Sequence, residues 1–323
     1  MRYRDEDQPE WEAVEHDFAA ARRAQPKPLS PVFKREGTIP EGEFSMRHHA
    51  LFSLLITAGI SLLASALVRA GEAPAYEAYA VRFATAPGCP LANLVQGADP
   101  KRTIDLAMTF WVLKDPGGRT VLVDAGFYRE EILKSYGVDA HADFTRPDQA
   151  LERLGIKPDE VTDVILTHMH SDHVDGADLF SKAQIWIQEE EYAHYAEKPG
   201  QPEYISALVR LNTLGRVHLV DGDAREILPG VTVYTGGKHT FASQYVGVKT
   251  KAGTVVIASD NVYTYENLEK HVPITATLDA KSNLAAQDRM KKIASNPRLI
   301  IPGHDPEVFV RFPKPGNGVA RLE

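Results

Sequence analysis

The stretch Thr167-His168-Met169-His170-Ser171-Asp172-His173 places four potential metal ligands within six residues. Residues 161–167 just before it are short, apolar and rich in β-branched side chains, which predicts a buried strand. The ligands therefore begin where a strand gives way to a loop. Residues i and i+2 of an extended chain point to the same side, so His168 and His170 can face one ion. Asp172 and His173 fall in the following turn and can face a second. Three imidazoles and a carboxylate packed together without a shared cation would crowd and need partners. Gly176 is expected to let the chain leave at an unusual backbone angle before a helix.

Three more candidates share this placement. His239 follows a predicted strand at 231–235 and the loop Gly236-Gly237-Lys238. Asp260 follows the second strand of a predicted hairpin, 245–249 and 254–258. His304 follows a strand at 299–301, in Pro302-Gly303-His304-Asp305. Sheets ending at a common edge would bring all of these loops together. The elements that must position them alternate between β and α patterns. Strands are predicted at 76–84, 103–113 and 120–124, the last two joined by the turn Asp115-Pro116-Gly117-Gly118. Further strands fall at 184–188, which leads into an acidic helix start at Glu189-Glu190-Glu191, and at 217–220. Helices are expected at 148–154, closed by Gly155, and finally at 284–293. There is no internal repeat and no low-complexity segment.

Composition narrows the classes. The chain has 323 residues, 43% hydrophobic and 25% charged, with a net charge of −8, so it is globular and long enough for one large domain or two small ones. It carries no lysine- and arginine-rich run, which argues against a nucleic-acid surface. The single cysteine, Cys89, in a Pro-Gly-Cys-Pro turn, excludes an intrachain disulfide and a cysteine-based zinc cluster. Residues 1–45 are polar and charge-mixed, which predicts a disordered extension or a start codon placed too early. Residues 46–73 read as a signal peptide or membrane anchor. Met46 opens the segment, an uncharged run covers 50–68, and Ala64-Ser65-Ala66 and Ala70 suit cleavage. Lys34, Arg35 and Arg47 before the run favour a cytoplasmic N-terminus. The remaining domain, 74–323, is then expected to be exported: periplasmic or secreted, or held at the membrane where the run serves as an anchor.

The His-Met-His-Ser-Asp-His run with the later His239, Asp260 and His304 resembles the metallo-β-lactamase superfamily. The resemblance covers roughly residue 76 to the C-terminus, and Val123-Asp124-Ala125-Gly126 matches an early Asp-Gly turn of that family. It implies an α/β fold, an αβ/βα sandwich of two β-sheets flanked by helices, with a dinuclear metal site on one edge. It also implies that His168, His170 and His239 bind the first metal, that Asp172, His173 and His304 bind the second, that Asp260 bridges them, and that Asp124 orients a ligand. Imidazole and carboxylate ligands without thiolate suit two zinc ions, with iron, cobalt or manganese able to substitute. Two metals about 3.5–4 Å apart can share one hydroxide, because metal binding lowers the pKa of water from about 15.7 to about 7.

Within the superfamily, Ser259-Asp260-Asn261-Val262-Tyr263-Thr264-Tyr265-Glu266-Asn267 resembles the N-acyl homoserine lactonases, in which a tyrosine follows the bridging aspartate by three residues. His271-Val272-Pro273 and Gly303-His304-Asp305 are similar to that family too. The resemblance implies that the metal-bridging hydroxide opens a lactone ring. The Tyr263 phenol would bond the carbonyl oxygen or oxyanion, and Asp172 would pass a proton to the leaving oxygen. The substrate is then a small molecule and nucleic acid is no partner. The chain departs from that pattern at Gly236-Gly237-Lys238-His239-Thr240, where a second histidine of the family is missing. The alternative is another hydrolase of the same fold, acting on organophosphates or aryl esters. A β-lactamase is disfavoured, because the resemblance gives those enzymes no bridging aspartate. Phe127, Tyr128 and Phe241 are candidate pocket walls.

Overall fold

The computed structural model describes residues 75–196 and 198–323. The expectations for 1–45 and 46–73, including the anchor at 50–68, lie outside the described residues. Among the described residues, no helix is long and apolar enough to cross a membrane.

Among the described residues, twelve strands form two sheets. The first holds seven in the order β12-β1-β2-β3-β4-β5-β6: β1 (Glu77–Pro90), β2 (Thr103–Lys114), β3 (Thr120–Val123), β4 (Val161–Ile165), β5 (Gln184–Gln188), β6 (Val217–Val220) and, at the outer edge, β12 (Val319–Arg321). The second holds five in the order β11-β10-β9-β8-β7: β7 (Arg225–Leu228), β8 (Val231–Thr235), β9 (Gln244–Thr250), β10 (Gly253–Ser259) and β11 (Ile300–Pro302). The α-helices are α1 (Glu130–Ser135), α2 (Pro147–Ala150), α3 (Ser171–Val174), α4 (Glu189–Ala196), α5 (Glu203–Thr213), α6 (Tyr265–Lys270), α7 (Ala280–Ile293) and α8 (Val308–Arg311).

The period of two along the strands sorts side chains into layers. In β2, Trp111 and Leu113 point between the sheets, where they meet Val233, Val246 and Ile257 of the second sheet. Met108, Phe110 and Val112 alternate with them and point to the opposite face, under Phe180, Ile205 and Leu208. In β10, Val255 and Ile257 face the inter-sheet core, and Val256 and Ala258 face Ala286 and Met290 of α7. The result is helices on the outer face of each sheet, an αβ/βα sandwich.

Strand direction fixes where the loops meet. β3, β4, β5 and β6 run parallel to one another, and β10 runs parallel to β11. Parallel neighbours share a carboxyl-terminal edge. Asp124 and His168 thus leave the first sheet side by side, as Asp260 and His304 leave the second.

The predicted strands at 184–188, 217–220 and 231–235 match β5, β6 and β8, and 284–293 lies inside α7. Several expectations need correction. Residues 148–154 are not one helix: a single turn, α2, passes into a 3-10 turn at Leu151–Leu154. Helix α7 starts at Ala280 because Asp279 accepts from Ser282 N at 3.0 Å, an N-cap that satisfies an otherwise orphan amide. It is not the last helix, since α8 follows. Phe127 is fully buried against Phe83, Tyr136 and Phe144, so it is core rather than pocket wall. Gly176 is not among the residues with positive φ. It lies in the 3-10 turn Asp175–Leu179, and its backbone N donates to Gly126 O at 2.8 Å. A Cβ there would overlap the Ala125 carbonyl oxygen. Close approach, not backbone freedom, is its reason.

Gly176→Ala is therefore expected to lower the unfolding free energy by roughly 1–3 kcal/mol through overpacking against backbone, read from the urea midpoint. An unchanged midpoint would mean that the Ala125 turn yields easily and does not fix the loop.

Candidate metal centre

The five histidines and two aspartates expected to bind metal come together at the shared sheet edge. They form two groups of four donors, His168, His170, His239 and Asp260, and Asp172, His173, His304 and Asp260, in each of which the donor atoms lie within 4.8 Å of one another. In the first, His170 Nδ1 stands 3.1 Å from His168 Nε2 and 3.0 Å from His239 Nε2. Asp260 Oδ2 is 3.8 Å from His168 Nε2 and 3.4 Å from His239 Nε2. In the second, His173 Nε2 lies 3.3 Å from Asp172 Oδ2 and 3.4 Å from Asp260 Oδ1, and His304 Nε2 lies 3.6 Å and 3.0 Å from the same two oxygens. Asp260 turns one oxygen to each group.

The outer nitrogens explain why the inner ones are bare. His173 Nδ1 meets Asp124 Oδ2 at 2.8 Å, His239 Nδ1 meets Ala276 O at 2.9 Å, and His304 Nδ1 meets Ala107 O at 3.3 Å. Each partner is an acceptor, so each Nδ1 carries the hydrogen and Nε2 presents its lone pair inward. Thr167 Oγ1 donates to Asp124 Oδ2 at 2.9 Å, which leaves it to accept from His168 Nδ1 at 3.0 Å.

Whether the donors fit a cation can be judged from their own bonding. His173 Nε2 and Asp260 Oδ1 are buried and have no hydrogen-bond partner, a costly state for polar atoms. His170 Nδ1 faces two imidazole nitrogens but can bond only one. Donors arranged tetrahedrally at zinc bond lengths stand roughly 3.3–3.6 Å apart, within the spread found here. The donor set fits two divalent cations.

Electrostatics differ between the groups. Burial, with neighbouring imidazoles, pushes the His168 pKa well below the ordinary range and that of His170 down to about 3. Burial also lowers His239. Burial opposes charge on His173 as well, but the carboxylates of Asp172, Asp260 and Asp124 outweigh it and raise that pKa well above normal. For His304, Asp260 and Asp172 likewise outweigh burial. Burial would raise Asp260, yet His304 and His173 hold it far below the usual carboxylate range.

Tyr263 is buried, with its ring 5.5 Å from that of His239 and 5.9 Å from that of His304. Its hydroxyl is 3.4 Å from His239 Nδ1, and burial keeps its pKa well above normal. Asp124, expected to orient a ligand, hydrogen-bonds the candidate ligand His173 and also accepts from Thr167 N at 2.8 Å and Ser259 Oγ at 3.0 Å. Phe241 is 39% exposed and stacks on His194. Tyr128 donates to Asp178 at 3.2 Å.

Two residues were missed in the sequence. Glu191, read only as part of an acidic helix start, is fully buried. It accepts from Met169 N at 3.0 Å and Ala242 N at 2.6 Å, tying the His168 loop to the His239 loop. Tyr136 donates to Asp172 Oδ1 at 2.9 Å, and no pattern in the sequence marked it.

If the clusters hold cations, zinc added to metal-stripped protein will raise its unfolding free energy by about 2.7 kcal/mol at a hundredfold excess over Kd. His304→Ala will cut the bound stoichiometry from two to one. Stability indifferent to zinc, cobalt and manganese would sink the metal assignment.

The family pattern described as the Metallo-beta-lactamase superfamily matches residues 105–304, more than half of the chain. An N-acyl homoserine lactonase of Bacillus cereus is 35% identical over 162 residues, which cover 49% of this chain and 61% of that protein. The match thus spans about three fifths of that relative. A second N-acyl homoserine lactonase, from a Bacillus species, is 28% identical over 222 residues, 64% of this chain and 85% of the relative. Among solved structures, a quorum-quenching N-acyl homoserine lactone lactonase superposes with a TM-score of 0.59 at 25% identity, covering 73% of this chain and 94% of the other.

Proposed function

Because the chain belongs to the metallo-β-lactamase superfamily, we propose that it is a dinuclear metal-dependent hydrolase that opens the lactone ring of N-acyl homoserine lactones. One observation carries the reading: two four-donor groups share Asp260, and a buried tyrosine sits against histidines of both. The lactonase names of its relatives support the substrate class.

In this reading His168, His170 and His239 hold one ion, Asp172, His173 and His304 hold the other, and Asp260 bridges them. Zinc suits the imidazole and carboxylate donors best. When bound, the two ions supply Lewis acidity and a water acidic enough to act as nucleophile at neutral pH. The remaining work falls to side chains. Tyr263 stays protonated, so it can only donate when a carbonyl oxygen develops negative charge beside it. His239 Nδ1 is committed to Ala276 O, which leaves the phenolic hydrogen to a ligand. Asp172 has one oxygen turned to His173 and His304, and it is placed to carry a proton to the leaving ring oxygen. The catalytic domain, residues 74–323, would act after export directed by residues 46–73.

The test is turnover of the metal-loaded protein on short- and long-chain acyl homoserine lactones, a phosphotriester, an aryl ester and a β-lactam. Lactones should be the best substrates, and Tyr263→Phe should lower their kcat by about 10²-fold, the loss typical of an oxyanion donor. Good phosphotriester or ester turnover with poor lactone turnover would replace the lactonase reading with that of another hydrolase of this fold. Fractionation of the native host would test export; a cytoplasmic full-length chain would refute it.

A further inference from the structure

Residues 126–137 leave the end of β3, form α1 and return, and they are lashed at both ends to the segment that carries Asp172. At the near end, Asp175 Oδ2 accepts from Tyr128 N at 2.7 Å and Arg129 N at 3.0 Å. The Arg129 guanidinium pairs with Asp175 and, at 2.9 Å, with Asp178. At the far end, just past α1, the Tyr136 hydroxyl donates to Asp172 Oδ1 at 2.9 Å. The ring is held in place by stacking on Phe127, with centroids 5.5 Å apart and planes at 23°. Gly137, at φ 64°, lets the chain turn away immediately afterwards. The Ser171 side chain, at the partly exposed rim, also hydrogen-bonds the phenol.

We infer that Tyr136 is a positioning residue for the second metal: its hydroxyl holds Asp172 Oδ1 so that Oδ2 alone faces His173 and His304. This rests on the assignment of Asp172 made above. A carboxylate has two equivalent oxygens and a freely turning χ2. Without a donor on one oxygen, Asp172 could swing or present both. The Tyr136 bond removes that choice, and it comes from an element pinned independently by Asp175. Partners of metal ligands outside the coordination shell typically contribute 10–100-fold to metal affinity or activity. The inference assigns such a partner to Asp172, as Asp124 is the partner of His173.

The experiment measures stepwise zinc affinity by competition with a chromophoric chelator, and the visible spectrum of the cobalt-loaded protein, for wild type, Tyr136→Phe, Ser171→Ala and Tyr79→Phe. Tyr136→Phe keeps the stacked ring and removes only the hydroxyl. It should bind the first zinc as wild type does, bind the second at least about tenfold more weakly, and change the cobalt spectrum. On whichever substrate the wild type turns over, its kcat should fall more than its KM changes. Ser171→Ala, which leaves the Tyr136–Asp172 bond intact, should show a smaller effect in the same direction. Tyr79→Phe removes a phenol bonded to Glu77 on β1 and should change nothing. Unchanged second-site affinity in Tyr136→Phe would overturn the inference, whether or not kcat fell. So would equal weakening of both sites, which would mark a general structural loss. If wild type opens no lactone, the lactonase reading fails while the metal titration still decides this one.

Discussion

The interaction on which the site depends is the buried Asp124 carboxylate. It receives Thr167 N, Thr167 Oγ1, Ser259 Oγ and His173 Nδ1, all at 2.8–3.0 Å. These donors come from the two sides of the site: Thr167 and His173 from the segment that runs from the end of β4 into α3, and Ser259 from the last residue of β10. A carboxylate without solvent is unfavourable unless nearly every lone pair is used, and here the requirement is met by groups that must be brought together anyway. Each donor left without an acceptor would cost about 1–3 kcal/mol. The carboxylate therefore links the two sheets through one point as well as setting the His173 ring.

Strain gathers at the same place. Asp124, Lys238 and Ser259 hold φ between 47° and 61°, a region that side chains enter at a cost of order 1–3 kcal/mol. All three immediately precede or anchor a candidate ligand: Asp124 binds His173, Lys238 precedes His239, and Ser259 precedes Asp260. Gly303 adds a close approach, since a Cβ there would come within 2.7 Å of Asp260 Oδ1. Tight strand-end turns let donors from separate strands converge within hydrogen-bond distance.

What the sequence made legible follows from which signals are local. Strands β5, β6 and β8 are short β-branched or apolar runs between turn residues, and the dense His168–His173 cluster is visible without any partner. The placement of Asp260 and His304 after apolar runs reflects the parallel pairing of β10 with β11, whose carboxyl ends align, and β8, antiparallel to β9 as β10 is, runs the same way and delivers His239 to that edge. Strand β7 stayed hidden because its outer residues Arg225 and Glu226 are exposed and polar, and β12 because three residues carry no period. The Thr264 to Asn267 run proved to carry a helix start: Asn267 Oδ1 accepts from Thr264 N at 3.1 Å. Tyr136 and Glu191 were illegible for a different reason. Tyr136 reaches a segment distant in sequence through its hydroxyl and Glu191 reaches two loops through its two carboxylate oxygens, and no spacing rule encodes such contacts.

The two donor groups are electrostatically asymmetric. The first group offers three imidazoles whose pKa values are lowered by burial, so at neutral pH they already present lone pairs. The second sets Asp172 and Asp260 against His173 and His304, whose pKa values those carboxylates raise against the opposing effect of burial. A cation held there would meet both carboxylates at once, and its binding would be coupled to the loss of any proton the imidazoles carry. The carboxylate whose direction is set from outside, Asp172 under Tyr136, belongs to that second group. The outside contact thus falls on the group that gathers two carboxylates, not on the one built from three imidazoles and a single carboxylate.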